Sequence, residues 1–303
     1  MSELSSHTLT AEDQTVTTGP TQPGWQLATL PPARRPRPTP VAEKSHVLVH
    51  RSIGDRYRFL ELHSPQIAAT AQPGQFVMIT VARDGESAPA LPRPMAIYRR
   101  DIEQGTIEIL YGVVGDGTRK LGNVRSSEEL LVVGPLGREF DVAADTDSVL
   151  LIGRGIGTCS LTTVAQANHE AGIRTIAVAS GRTAESVIGS DFYRAHGAEL
   201  YEVTDESGSS TPAALFEVLT RDLDEAPPQV IMTCGSDRLT RLCEQLAQRW
   251  GSQVQVSVEA HMACGIGYCH GCASGARSEG EESPLICKDG PVFHWRPESA
   301  DAS

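Results

Sequence analysis

Four of the seven cysteines in this 303-residue chain are concentrated near its end. Three lie in Met262-Ala263-Cys264-Gly265-Ile266-Gly267-Tyr268-Cys269-His270-Gly271-Cys272, and Cys287 follows. The spacing C-x4-C-x2-C…C is that of plant-type [2Fe–2S] ferredoxins. A loop that wraps such a cluster must bring its thiolates together from one short segment. Gly265, Gly267 and Gly271 permit the tight turns this requires and let backbone N–H groups approach the sulfurs. The segment from Glu259 onward is too short and too rich in Gly and Cys to make its own core, a lack that bound metal can supply. A structural zinc site is the alternative. Zinc sites usually pair two C-x2–4-C knuckles, whereas here three cysteines share one loop. His270 lacks the second histidine of a Rieske pattern and reads as an exposed spacer.

The remaining chain bounds what the cluster can serve. At roughly 100–200 residues per domain, its length suggests two domains, or two plus a small appendage. The net charge is −12, and no Lys/Arg run offers a nucleic-acid footprint. Arg34-Arg35-Pro36-Arg37 is short and Pro-rich, which reads as solvated linker. No stretch approaches the ~18 apolar residues of a membrane span. The N-terminus is polar, with Glu3, Glu12 and Asp13, and does not resemble a secretory signal. The expectation is a cytoplasmic protein, where thiols stay reduced and cysteines have uses other than disulfides.

Residues 1–44 are rich in Ser, Thr, Pro and Gln and read as a disordered tail. From 45 to 146, short β-rich runs are separated by turn signals such as Pro73-Gly74 and Gly115-Asp116-Gly117. The runs are His46–His50, Tyr57–Leu62, Phe76–Val81, Met95–Tyr98, Thr106–Tyr111 and Glu129–Val133, and they predict a small barrel or sandwich. From 147 to 258 the rhythm alternates. Strands are expected at Val149–Ile152, Ile173–Ala179, Glu199–Val203, Val230–Thr233 and Val254–Val258. Helices are expected at Thr158–Ala171, Thr211–Arg221 and Asp237–Trp250, which predicts a parallel α/β sheet. The fold class is therefore multi-domain α+β, closed by a cluster segment at 259–303.

Two glycine-bearing turns fall at carboxyl ends of the expected parallel strands, where ligands bind. Gly153-Arg154-Gly155-Ile156-Gly157 opens a helix with spacing G-x-G-x-G, not G-x-G-x-x-G, and a bare strand-to-helix turn also accounts for it. Cys234-Gly235 ends a later strand, and Cys234 alone also suits a small buried apolar residue. In the barrel, Arg93 precedes a strand and suits a phosphate, while Gly117-Thr118 offers amides and a hydroxyl. A salt-bridged surface arginine and a simple turn explain these equally well.

The order of these motifs resembles the electron-transfer subunits of type B, NAD-linked dihydroorotate dehydrogenases, within the ferredoxin-reductase superfamily. The resemblance runs over about residues 45–295 and is carried by Pro73-Gly74-Gln75-Phe76, Arg93-Pro94, Gly117-Thr118, Gly134-Pro135-Leu136-Gly137, the glycine loop, Cys234-Gly235, the cysteine loop and Cys287-Lys288-Asp289-Gly290-Pro291-Val292-Phe293. It implies an FAD-binding barrel, a nucleotide-binding α/β domain and a [2Fe–2S] domain with Cys264, Cys269, Cys272 and Cys287 as ligands. It places flavin contacts on Arg93, Pro94, Met95 and Ala96, on Leu110, Tyr111 and Gly112, and on Gly117 and Thr118. It places nicotinamide-dinucleotide contacts on Gly153, Gly155, Ile156 and Gly157, with Cys234 and Gly235 at the edge. Electrons would pass between NAD(H), FAD, the cluster and a flavin in a catalytic partner chain, in pyrimidine biosynthesis.

The chain departs from the family pattern at four points. Ala96 replaces the usual Ser, Gly112 a usual basic residue, Arg154 a glycine and Ser160 a common Pro. Arg154 either blocks the dinucleotide or pairs with its phosphate. Two other readings of the same modules stay open: a stand-alone NAD(P)H reductase feeding an oxygenase, and a non-catalytic redox-sensing or assembly module. Arg182, after the second strand of the sheet, suits either a surface salt bridge or a 2′-phosphate. Cys159 and Cys243 have no assigned role.

Overall fold

The computed structural model describes residues 25–31, 37–83, 85–234, 236–275 and 282–297. In chain order the strands of its first half are β1 (Trp25–Ala28), β2 (Val41–Ile53), β3 (Tyr57–His63), β4 (Phe76–Ile79), β5 (Arg93–Ala96), β6 (Arg99–Asp101), β7 (Thr106–Gly112) and β8 (Glu129–Leu136). Helix α1 (Pro65–Thr70) follows β3, and α2 (Asp116–Leu121) follows β7. The second half runs β9 (Ser148–Arg154), α3 (Cys159–Ala171), β10 (Arg174–Gly181), α4 (Ser190–Ala195), β11 (Glu199–Thr204), α5 (Pro212–Leu223), β12 (Val230–Cys234), α6 (Asp237–Trp250), β13 (Gln253–Ser257) and β14 (Val292–Pro297).

Seven strands form an antiparallel barrel-like sheet in the order β5-β4-β8-β2-β3-β7-β6. Alternation drives it. Along β8, Leu130 and Val132 are buried while Glu129 and Leu131 face solvent. Leu60, Leu62, Ile107 and Ile109 fill the interior with Val77, Ile79 and Val132. Leu60, Leu62 and the two isoleucines are wholly buried, and each contributes roughly 1.5–3 kcal/mol of transfer free energy.

The other sheet is ordered β1-β14-β13-β12-β9-β10-β11. Its five strands from β13 to β11 are parallel. β9 is a continuous apolar run, buried from Val149 to Gly153, as a strand with helices over both faces must be. Gly172 and Gly251 end α3 and α6 in the left-handed conformation. Thr211 caps α5 by accepting a hydrogen bond from Ala214 N–H, with Pro212 in the first turn. Barrel and sheet are joined by polar contacts: Thr162 Oγ1 donates to Tyr98 O (2.5 Å), and Gly74 N–H donates to Thr163 Oγ1 (3.1 Å).

The barrel plus α/β architecture agrees with the sequence reading, and four local expectations are corrected. The expected tail is partly built into the fold: β1 pairs antiparallel with β14, and Leu30 is buried against Phe140. β2 begins at Val41, before the expected start at 45. The expected cluster segment is not confined to a loop, because Val292–Pro297 returns to the sheet as an antiparallel strand beside β13. The run expected at Met95–Tyr98 lies earlier, at Arg93–Ala96, where its hydrogen bonds to β4 place it.

Candidate functional site: a cleft beside a cysteine loop

The strand ends converge on one cleft of about 430 Å3. Arg93, Pro94, Met95 and Ala96 line it from β5, and Leu110, Tyr111 and Gly112 from β7. Thr118 on α2 closes that end, while Ile156, Gly157 and Cys234 come from the sheet. The fold thus brings together nearly all the residues expected around the flavin. Gly117 lies against Arg93, and a side chain at 117 would collide with the guanidinium. Thr118 Oγ1 accepts from the amides of Val114 and Gly115 (2.9 and 3.0 Å), which fixes the turn beside that arginine. A cation over a tight turn is a cradle for a phosphate.

The glycine loop seals the other side. A Cβ on Gly157 would stand 2.9 Å from Cys234 O, so the loop packs directly on the end of β12. Gly153 and Gly155 lie in the same turn, and Gly155 also lines the adjoining pocket of about 260 Å3 with Tyr57, Arg56, Arg154 and Arg182. Gly235 lies outside the described residues. Arg154 does not reach across the cleft. Its Nη1 and Nη2 donate to Asp205 Oδ1 and Oδ2 (3.1 and 2.5 Å), and Nη1 also donates to Ser180 Oγ (3.1 Å). The Arg154 hydrogen bonds, with that from Ser210, hold the Asp205 carboxyl down at about 2.

Sequence reasoning passed over Glu259, Met262, Ser257 and Cys159, all in the wall of the cleft. Glu259 also lines the smaller pocket, and burial pushes its carboxyl above the usual range. Burial and then the Glu259 charge push the Cys234 thiol up to about 11, so it stays protonated. Cys159 S–H donates to Leu110 O (3.6 Å) and ties α3 to the flavin-side strand. Cys243 is core, packed between α6 and the sheet. The available signal was positional. Glu259 to Met262 bridge the end of β13, at a ligand-binding sheet edge, and the first cysteine.

The cysteine loop docks on the barrel. Gly265 has φ +72°, and a Cβ there would come within 2.5 Å of Met78. Among the described residues no three His, Cys, Asp or Glu side chains close on a single-ion site. Backbone amides instead point at the sulfurs. Cys269 N–H donates to Cys264 Sγ (3.4 Å), and Cys287 N–H donates to Cys272 Sγ (3.4 Å). Gly267 N–H donates to Cys287 Sγ (3.1 Å). Burial raises the Cys264 thiol, but amide donors led by Cys269 and Ile266 outweigh it and bring the group to about 7. Burial and then Cys272 push Cys287 up to about 12. Cys264 is half-buried and Cys269 exposed, while Cys272 and Cys287 lie in the apolar base with Met262, Ile286 and Phe293.

A barrel-like antiparallel sheet beside a parallel sheet, with a cleft between them at the parallel sheet's carboxyl edge, defines the ferredoxin-reductase fold. A ferredoxin reductase of carbazole 1,9a-dioxygenase shares it, with TM-score 0.55 and 19% identity over 71% of this chain and 67% of that one. A chain in the structure of an NADH-dependent reduced ferredoxin-NADP oxidoreductase, described for flavin-based electron bifurcation, superposes with TM-score 0.69 at 26% identity, covering 82% of this chain and 87% of that one. Residues 259–296 match the iron–sulfur cluster binding domain of dihydroorotate dehydrogenase B. The dihydroorotate dehydrogenase B (NAD(+)) electron transfer subunit of Geobacillus kaustophilus is 32% identical over 255 residues, 83% of this chain and 96% of the relative. That of Fusobacterium nucleatum is 30% identical, over 73% and 84%. The chain belongs to the family of dihydroorotate dehydrogenase B electron transfer subunits. No helix among the described residues is long and apolar enough to cross a membrane.

Proposed function

We propose that the chain carries electrons between a nicotinamide dinucleotide and a flavin on a catalytic partner, in the NAD-linked oxidation of dihydroorotate for which its relatives are named. Arg93, Thr118 and the β5 and β7 residues would hold FAD in the cleft. Gly153, Gly155, Ile156 and Gly157 would seat the dinucleotide at the neighbouring edge, with Cys234-Gly235 beside it. Cys264, Cys269, Cys272 and Cys287 would hold a [2Fe–2S] cluster, and the amides of Gly267, Cys269 and Cys287 already donate to three of those sulfurs, as hydrogen bonds to cluster thiolates do. A flavin held there would supply hydride exchange with the dinucleotide and one-electron transfer toward the cluster. The division of labour follows as a flavin barrel, a nucleotide sheet and a cluster segment.

The observation that carries this reading is Met262. It lines the flavin cleft and packs in the same apolar cluster as Cys272 and Cys287. The segment from Ser257 to Cys264 therefore runs from the nucleotide edge past the cleft to the first thiolate with no intervening element. Beyond it the loop presents Ile266 and Tyr268 to solvent, 56% and 86% exposed. An apolar pair beside an electron port suits a docked partner better than free solvent.

Co-expression with a dihydroorotate-oxidising flavoprotein chain tests the reading. The expected result is a copurifying complex that reduces NAD+ with dihydroorotate, while neither chain does so alone. A chain that stays alone, and reduces soluble acceptors from NAD(P)H at full rate, would establish the stand-alone reductase instead.

A further inference from the structure

Three arginines and one acid, Glu259, line the dinucleotide edge, and the acid that follows the next strand, Asp205, is already engaged by one of those arginines. Arg56 in the β2–β3 turn, Arg154 at the end of β9 and Arg182 just past β10 line the same pocket, with Gly155, Gly181 and Ser186. Asp205 follows β11 and lies beside Arg182: Asp205 N–H donates to Gly181 O and Glu206 N–H to Arg182 O, both at 3.1 Å. An acid near the adenosine ribose accepts from its 2′-hydroxyl and repels a 2′-phosphate, and an arginine does the reverse.

Here the acid is neutralised. Both Asp205 oxygens accept from Arg154, Ser210 Oγ donates to Oδ1, and Arg238 stands 3.7 Å from Oδ1. Arg182 is exposed, and its guanidinium has no hydrogen bond or ion pair among the described residues. The surface salt bridge that would have explained it is therefore absent among them. Resting on the nucleotide site proposed above, we propose that this pocket accepts NADP(H) as well as NAD(H), with Arg182 receiving the 2′-phosphate and Arg154 shielding that phosphate from Asp205. Arg154 is thus a specificity residue, neither a plug nor a direct phosphate ligand.

The test is calorimetric binding of 2′,5′-ADP and 5′-AMP to the cofactor-loaded protein, with anaerobic flavin reduction by NADPH and NADH alongside. The expected result is 2′,5′-ADP binding roughly 10- to 100-fold tighter than 5′-AMP, the range of a charge-assisted contact. NADPH should reduce the flavin with kcat/KM within about tenfold of NADH. Arg182→Gln should erase most of the preference for 2′,5′-ADP and lower the NADPH-to-NADH ratio. Arg154→Gly should lower the same ratio by freeing Asp205. Arg182 is on the surface, so its variant folds even if the Arg154 variant does not. Equal binding of 2′,5′-ADP and 5′-AMP, or an Arg182→Gln effect equal on both dinucleotides, would overturn the inference. A flavin that dithionite reduces but neither dinucleotide does would overturn the nucleotide site itself, a separate outcome.

Discussion

The cysteine loop and the dinucleotide pocket both adjoin the same cleft, and they are built in opposite ways. Three of the four cluster cysteines come from nine consecutive residues, and the fourth is brought back by a short return. The donors to the sulfurs are local too, backbone N–H groups of Gly267, Cys269 and Cys287. The dinucleotide pocket instead collects Arg56 from the barrel, Arg154 and Gly155 from one strand end and Arg182 and Ser186 from another. A site made by spacing tolerates little change in its ligands. A site made by convergence can be retuned by one side chain, as Arg154 and Asp205 illustrate.

The largest effect should come from breaking the local site. Cys287→Ser should abolish the cluster, read as loss of iron and inorganic sulfide, while flavin content stays near one per chain. Arg93→Ala breaks the cleft shared by both sides. It should weaken FAD binding by roughly 10- to 100-fold on reconstitution of the apoprotein, with iron content retained. Gly265→Ala places a methyl against Met78 in a left-handed turn and should cost about 1–3 kcal/mol, seen as a lower thermal midpoint and faster iron release.

The smallest effect is a pH dependence on the convergent side. Burial raises the Glu259 carboxyl above its ordinary 4.5, so the folded protein holds its proton more tightly than the unfolded chain. Between 4.5 and that raised value, stability falls as pH rises, because deprotonation favours the unfolded state. Glu259→Gln removes this loss. Its thermal midpoint should gain on the wild type from pH 5 to pH 8, and a gap that shrinks over that range would contradict the assigned burial.

Legibility in the sequence followed the same division. α6 was read at Asp237–Trp250, because an amphipathic period ending at Gly251 needs no tertiary context. The parallel strands β9 and β12 were read within two residues from continuous apolar runs. β1 was not, since Trp25-Gln26-Leu27-Ala28 lies in polar, Pro-rich surroundings and becomes a strand only against β14. β14 is itself non-local, returning to the sheet after the cluster segment. The cysteines were legible as a set, whereas Glu259 and Met262 carry no motif and acquire a place only when β13 delivers them to the cleft. Asp205 was invisible for the same reason, since its meaning depends on which arginine reaches it.

The most direct test of the account follows one electron path in one chain. The anaerobically purified protein is titrated with NADH while its visible spectrum and low-temperature paramagnetic resonance are recorded. The flavin bands should bleach, and the signal of a reduced binuclear iron–sulfur cluster should then appear, with two irons per chain. A colourless protein holding one zinc, or a cluster that dithionite reduces while NADH leaves flavin and cluster oxidised, would contradict it.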